Sequence, residues 1–184
     1  MKVVRTFSTS ANVGPGFDTL GICFDLYNDY QYEINDKYEL INFPFKYTNP
    51  NKNLIIQSYE KVFKLLNKPI IYIKLTQLVQ NIPTSRGLGS SASCIVCGIM
   101  MANDILNNPL SKEEVFQLAS EIEGHPDNVA PAILGGLVLS SLEEDGSVSY
   151  FKIYVTEYDF LFVNCRKNKK ILLSVYLLKK KSCL

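Results

Sequence analysis

Apolar residues recur along this chain in two periods. The first two runs, "KVVRTF" and "ICFDLYNDYQYEI" (22–34), are enriched in β-branched and aromatic residues, and they predict strands. Between them lies "STSANVGPGFDTLG" (Ser8–Gly21), a polar stretch punctuated by glycine and proline that predicts a loop. The period then changes. Leu54, Ile55, Tyr59, Val62, Phe63 and Leu66 recur at helical spacing, which predicts an amphipathic helix. "PIIYIKLTQLV" (69–79) returns to strand composition, and "QNIPTSRGLGSS" (80–91) reads as a loop entering an apolar helix from about Ser91 to Ile105. Ser111 followed by Glu114 is a capping box, so a further helix starts at about Lys112, with Gly124 as its stop. "EGHPDNVAPAILGG" (Glu123–Gly136) reads as a third polar loop, and Asp145-Gly146 between two strand-like runs predicts a hairpin. Helices and strands mix without regular alternation, which predicts an α+β fold.

Length and composition narrow the class. A chain of 184 residues can bury one substantial core, and 47% hydrophobic with 20% charged residues is ordinary for a globular protein. A net charge of +1 offers no field for nucleic acid or an anionic membrane. No apolar stretch is long enough to span a bilayer, and the N-terminus lacks the apolar core of a signal peptide. The expectation is a cytoplasmic protein whose five cysteines are reduced thiols. Cys94 and Cys97 form a C-x-x-C, yet no second pair exists and the sole histidine, His125, is distant in sequence. They read as two small core residues of a helix rather than a redox or zinc motif.

Candidate chemistry centres on "RGLGSSASCIVCG" (Arg86–Gly98). A glycine-rich loop that opens a helix presents backbone N–H groups at the positive end of the helix dipole, a ready site for phosphate. Gly87 and Gly89 are expected to let a ligand approach the backbone, and Ser90 and Ser91 to add hydroxyls for phosphate oxygens or Mg²⁺. Gly87-x-Gly89-x-x-Ala92 also satisfies a dinucleotide fingerprint, but the expected downstream acid is missing, and no G-K-[ST] makes a Walker loop. A tight turn without a ligand is the alternative. Two other polar stretches accompany it. In one, Asn12 and Asp18 bracket a Gly-Pro-Gly turn; in the other, His125 sits beside Asp127 and Asn128.

Together, "SANVGPGFDTLG", "PTSRGLGSSAS" and "EGHPDNVAPAILGG" resemble the homoserine kinase branch of the GHMP small-molecule kinase superfamily. The resemblance runs from Met1 to about Val163. It implies a ribosomal-protein-S5-like α+β N-terminal domain with a left-handed βαβ crossover, and a ferredoxin-like C-terminal domain that is largely missing here. It also implies transfer of the γ-phosphoryl of ATP, with Mg²⁺, to the side-chain hydroxyl of L-homoserine, yielding O-phosphohomoserine for threonine synthesis. A homodimer is implied for the intact family form. A mevalonate-type kinase and a non-catalytic fragment are the alternatives.

The resemblance also assigns roles. Pro83, Thr84, Ser85, Arg86, Gly87, Leu88, Gly89, Ser90, Ser91, Ala92 and Ser93 are expected to wrap the triphosphate, with Asn53 near the adenine. Ser91 is expected to ligate Mg²⁺ with a glutamate, Glu121 first and Glu123 second. Asn12, Asp18, His125 and Asn128 are expected to hold the amino acid. Asn128 orients the hydroxyl, and Asp18 meets either the ammonium or the hydroxyl. Beyond Val163 the sequence departs from the pattern. Residues 164–184, "NCRKNKKILLSVYLLKKKSCL", are abruptly basic and read as an aberrant tail in which "ILLSVYLL" could form a short strand or helix. The face carrying Leu137, Leu139, Phe151 and Ile153 is expected to be apolar and exposed.

Overall fold

The computed structural model describes residues 1–16, 19–154, 158–167 and 170–179, the last two segments as backbone only. Eight strands and four helices follow in the order β1 (Lys2–Ser10), β2 (Leu20–Ile34), β3 (Glu39–Ile41), α1 (Leu54–Leu65), β4 (Ile73–Gln80), α2 (Ser90–Ile105), α3 (Lys112–Glu123), α4 (Pro126–Leu134), β5 (Leu137–Leu142), β6 (Val148–Ile153), β7 (Tyr158–Lys167) and β8 (Lys170–Lys179).

The 15-residue β2 organises the sheet. One edge pairs antiparallel with β1 along most of its length. The other edge is divided: Asn28–Ile34 pair with β4, and Leu20–Ile22 pair with β5. β3 extends the first arm in parallel with β4, so α1 belongs to a βαβ unit, and β6 extends the second arm as a hairpin. Buried Tyr30, Tyr32, Ile73 and Leu75 meet Ile55, Phe63, Ile95, Phe116 and Val129 in one core between this sheet and the helices. The α+β expectation holds in this arrangement.

Local signals set several boundaries. The α3 capping box is present, with the Ser111 hydroxyl accepting from the Glu114 N–H and Glu114 accepting from the Ser111 N–H, and Gly124 ends the helix in left-handed conformation. The Asp145-Gly146 hairpin joins β5 to β6.

Three expectations need correction. Ser8–Ser10 continue β1 rather than opening a loop. The stretch read as a third loop contains α4, which begins with Pro126 at its first turn and tolerates Pro131 inside it. Proline fits the first helical turn because its missing N–H has no helical partner there. Near Pro131, β2 passes so close to α4 that a Cβ on Gly21 would lie 1.9 Å from the Asp127 carbonyl oxygen and 2.8 Å from the Pro131 ring. Finally, Leu137 is buried with Val13 and Ile22, and Ile153 packs against them, so only Leu139 and Phe151 of the expected apolar face are exposed.

In the basic segment, "ILLSVYLL" lies within β8, which pairs antiparallel with β7. Among the described residues no helix is long and apolar enough to cross a membrane.

Candidate active site

A cavity of about 410 Å³ lies where the loop before α2 meets β2, β4 and the start of α1. Two kinds of wall meet in it. One is apolar and aromatic, from Phe43, Pro44, Tyr47, Leu54 and Ile82; the other is the loop from Thr84 to Ser91.

The loop is fixed to the sheet before any ligand arrives. Buried Asn28 on β2 accepts from the backbone N–H groups of Asn81 (2.8 Å) and Ile82 (3.0 Å) through its Oδ1. Two donors from β1 reach the Leu88 carbonyl, the Thr9 N–H at 3.3 Å and the Ser8 hydroxyl at 3.0 Å. Gly89 then turns the chain into α2 at φ +60°, and a Cβ there would lie 2.0 Å from Thr9 Oγ1 and 2.9 Å from the Thr9 carbonyl oxygen. The missing Cβ of Gly89 is thus required by β1, a reason the loop sequence alone does not show, and Gly89 also lines the cavity.

α2 starts at Gly89 without a side-chain cap, so the first-turn N–H groups have no side-chain acceptor. Ser90 and Ser91 both line the cavity there. Ser91 Oγ donates to Glu123 Oε1 at 2.5 Å, across from the end of α3. Burial pushes the Glu123 carboxyl above its ordinary range and nearby Asp127 adds to the rise, while the Ser91 hydroxyl and His125 oppose it. Glu121, the first choice for this position, points elsewhere: it accepts from Gln117 Nε2 at 2.9 Å and is exposed. One helical turn fixes this outcome, since residues two apart on a helix face different ways. No cluster of three or more His, Cys, Asp or Glu side chains able to hold a metal occurs among the described residues. A hydroxyl and a carboxylate are the hard oxygen donors that suit Mg²⁺ when phosphate and water complete its shell.

The other expected residues divide. Asn12 and Asn128 line the cavity. Asn128 is held by its neighbours: Thr9 Oγ1 donates to its Oδ1 at 3.1 Å, and its backbone N–H (2.7 Å) and Nδ2 (3.3 Å) donate to Asp127 Oδ1. Asp18 lies outside the described residues. His125 is exposed at the N-terminus of α4 and is not part of the cavity wall. Asn53 reaches the cavity, but its polar atoms are committed: Oδ1 caps α1 by accepting from Ile55 and Ile56, and Nδ2 donates to the Tyr47 carbonyl at 2.9 Å. Ala92 and Ser93 face the core instead of the cavity, Ser93 Oγ lying 2.7 Å from Thr6 Oγ1, and Pro83 also lies off the wall. Arg86 is exposed on the rim. Sequence reasoning missed Thr9, Asn28, Phe43, Tyr47 and Gln77. Only the polar Asn28 and Gln77 inside strand runs carried a signal.

Residues 53–136, from the α1 cap to the last glycine before β5, match the family of GHMP kinases N terminal domain. The chain carries a GHMP kinase N-terminal domain. Its relatives include the homoserine kinase of Clostridium beijerinckii, 46% identical over 79% of this chain and 49% of that one. The homoserine kinase of Clostridium kluyveri is 39% identical over 98% of this chain and 62% of that one, a match that extends past Val163. The solved structure of thrB from Listeria monocytogenes is 33% identical, with a TM-score of 0.76, covering 90% of this chain and 58% of that one. The chain thus spans about half the length of the curated relatives it matches.

Within this GHMP domain the C-x-x-C is confirmed as helical: Cys94 and Cys97 lie on α2 as free thiols. Burial raises both, Cys94 to about 11, so neither is a thiolate at neutral pH.

Proposed function

We propose that this GHMP domain binds ATP with Mg²⁺ and serves transfer of the γ-phosphoryl group to the side-chain hydroxyl of L-homoserine. The product would be O-phospho-L-homoserine, made in the cytoplasm for threonine biosynthesis. The observation that carries the reading is the Ser91–Glu123 pair beside the open N-terminus of α2, in a cavity that also has an aromatic wall. The substrate assignment rests on the relatives, which are homoserine kinases.

In this reading the backbone of Thr84–Ser91 cradles the triphosphate, and the aromatic wall takes the base. Ser91 Oγ and the Glu123 carboxylate would hold Mg²⁺, which when bound neutralises phosphate charge. To hold the ion, the Glu123 carboxyl would have to be ionised and the Ser91 hydroxyl turned from it toward the ion. Asn128, fixed by Thr9 and Asp127, orients the acceptor hydroxyl. An amide takes no proton at neutral pH, so its part is positional. Asn12, on the cavity wall, would hold the amino acid; the family resemblance adds Asp18 and His125, although His125 stands off that wall.

Calorimetry of the purified chain with ATP and Mg²⁺, followed by a coupled assay of ADP release, tests this. Expected are Mg²⁺-dependent binding that Glu123→Gln weakens about tenfold, and turnover of L-homoserine ahead of mevalonate and galactose. Absence of ATP binding overturns the reading. Binding without transfer identifies a non-catalytic fragment, and preference for mevalonate moves the protein to another branch of the family.

A further inference from the structure

Gln77 has no task in the reading above. It lies on β4 where Ile73 and Leu75 set a row of side chains buried against the helices. A third apolar residue would continue that row; a glutamine stands there instead, 7% exposed. Its Oε1 is buried and has no hydrogen-bond partner. Leaving an amide oxygen in that condition destabilises a fold, because the group has given up water and received nothing in exchange.

The side chain forms part of the cavity wall. Gln77 pairs across the ladder with Tyr30. The Tyr30 ring stacks on Phe43, with centroids 6.1 Å apart and planes 13° from parallel. The backbone carbonyl of Gln77 accepts from Asn42 Nδ2 at 3.4 Å, beside Phe43. The unpaired amide oxygen thus adjoins the aromatic wall and belongs to a strand distinct from the phosphate loop.

We infer that Gln77 reads the base of the nucleotide, its amide oxygen accepting from the exocyclic amine of adenine while the amide nitrogen donates to the adjacent ring nitrogen. An amide and an adenine edge match in this way because each presents one donor beside one acceptor. The aromatic wall holds a flat base by contact area alone and does not distinguish one purine from another. Gln77 adds the discrimination. The inference rests on the proposed nucleotide site and assigns its base selectivity to one residue.

The test measures dissociation constants by calorimetry, with Mg²⁺, for ATP and for purine riboside 5′-triphosphate, which lacks only the amine. The wild-type chain is compared with Gln77→Met and Gln77→Leu. Wild type is expected to prefer ATP about tenfold, the range for one well-placed base contact. Both variants are expected to bind the two triphosphates equally, by losing affinity for ATP. Their melting temperatures should equal or exceed that of wild type, since the unpaired amide oxygen is gone.

Wild-type affinity that is the same for both triphosphates overturns the inference whatever the variants do. A preference for ATP that survives in a folded variant overturns it as well. If wild type binds neither triphosphate, the nucleotide reading fails along with it. If ATP binds and selectivity does not depend on Gln77, the nucleotide reading stands and this inference alone is lost.

Discussion

Replacing Gly89 by alanine separates two explanations of the loop. At φ +60° an L-residue is strained by about 1–2 kcal/mol. The new Cβ would also stand 2.0 Å from Thr9 Oγ1, 2.9 Å from the Thr9 carbonyl oxygen and 3.0 Å from its nitrogen. The hydroxyl can rotate away, at the loss of its bond to Asn128, but the two backbone atoms belong to β1 and must be pushed. Overpacking of that kind costs about 1–3 kcal/mol. The sum is roughly 2–5 kcal/mol, or a fall in melting temperature of about 4–20 °C for a domain of this size. The assay is thermal unfolding followed by circular dichroism, without nucleotide, in a double-mutant cycle with Thr9→Ala. Removing Oγ1 should recover part of the loss, because the backbone contacts remain, and a non-additive cycle is the signature of direct contact. If Gly89→Ala melts with wild type and loses only nucleotide affinity, the glycine serves the ligand and the argument from β1 is wrong.

Asn53→Ala should cost about 1–2 kcal/mol in urea unfolding through loss of the α1 cap; unchanged stability with weakened ATP binding would return Asn53 to the site. Asn28→Ala should cost about 1–3 kcal/mol and loosen the loop, since two buried backbone donors lose their acceptor; hydrogen exchange at Asn81 and Ile82 checks it. Glu123 has its folded-state pKa raised, so the protonated form is favoured in the fold: its contribution is present below the ordinary carboxylate range and lost as pH rises through the raised value. Glu123→Gln should therefore melt above wild type at neutral pH in the absence of Mg²⁺. That difference should shrink on acidification, and a difference that grows instead would reverse the sign of the shift.

Elements encoded in a few adjacent residues were legible. The α3 cap pair Ser111 and Glu114, the Gly124 stop and the Asp145-Gly146 hairpin need only local chemistry, and each formed as read. α4 was not, because Pro126, Asp127, Asn128 and Pro131 individually favour turns, and the close packing of this helix on Gly21 of β2 is a tertiary contact. At the site, the loop was visible in its glycines and serines. The choice between Glu121 and Glu123 depended on which side of α3 meets Ser91, a tertiary fact. The aromatic wall brings Phe43 and Tyr47 beside Leu54 and Ile82, and no local pattern announces that meeting.

The divided outer edge of β2 has a mechanical consequence. Between Ile22, the last residue paired with β5, and Asn28, the first paired with β4, that edge belongs to neither ladder. The register with β1 shifts within the same stretch, where Ser8 faces Phe24 while Phe7 faces Tyr27, leaving Asp25 and Leu26 as extra residues. A bulge bends its strand and concentrates twist there. One arm carries Gln77, and the other leads to α4 and Asn128 through Gly21. The bulge at Asp25–Leu26 therefore sets the angle at which the arm carrying Gln77 meets the one leading to Asn128, and with it the spacing of those two residues across the cavity they both line.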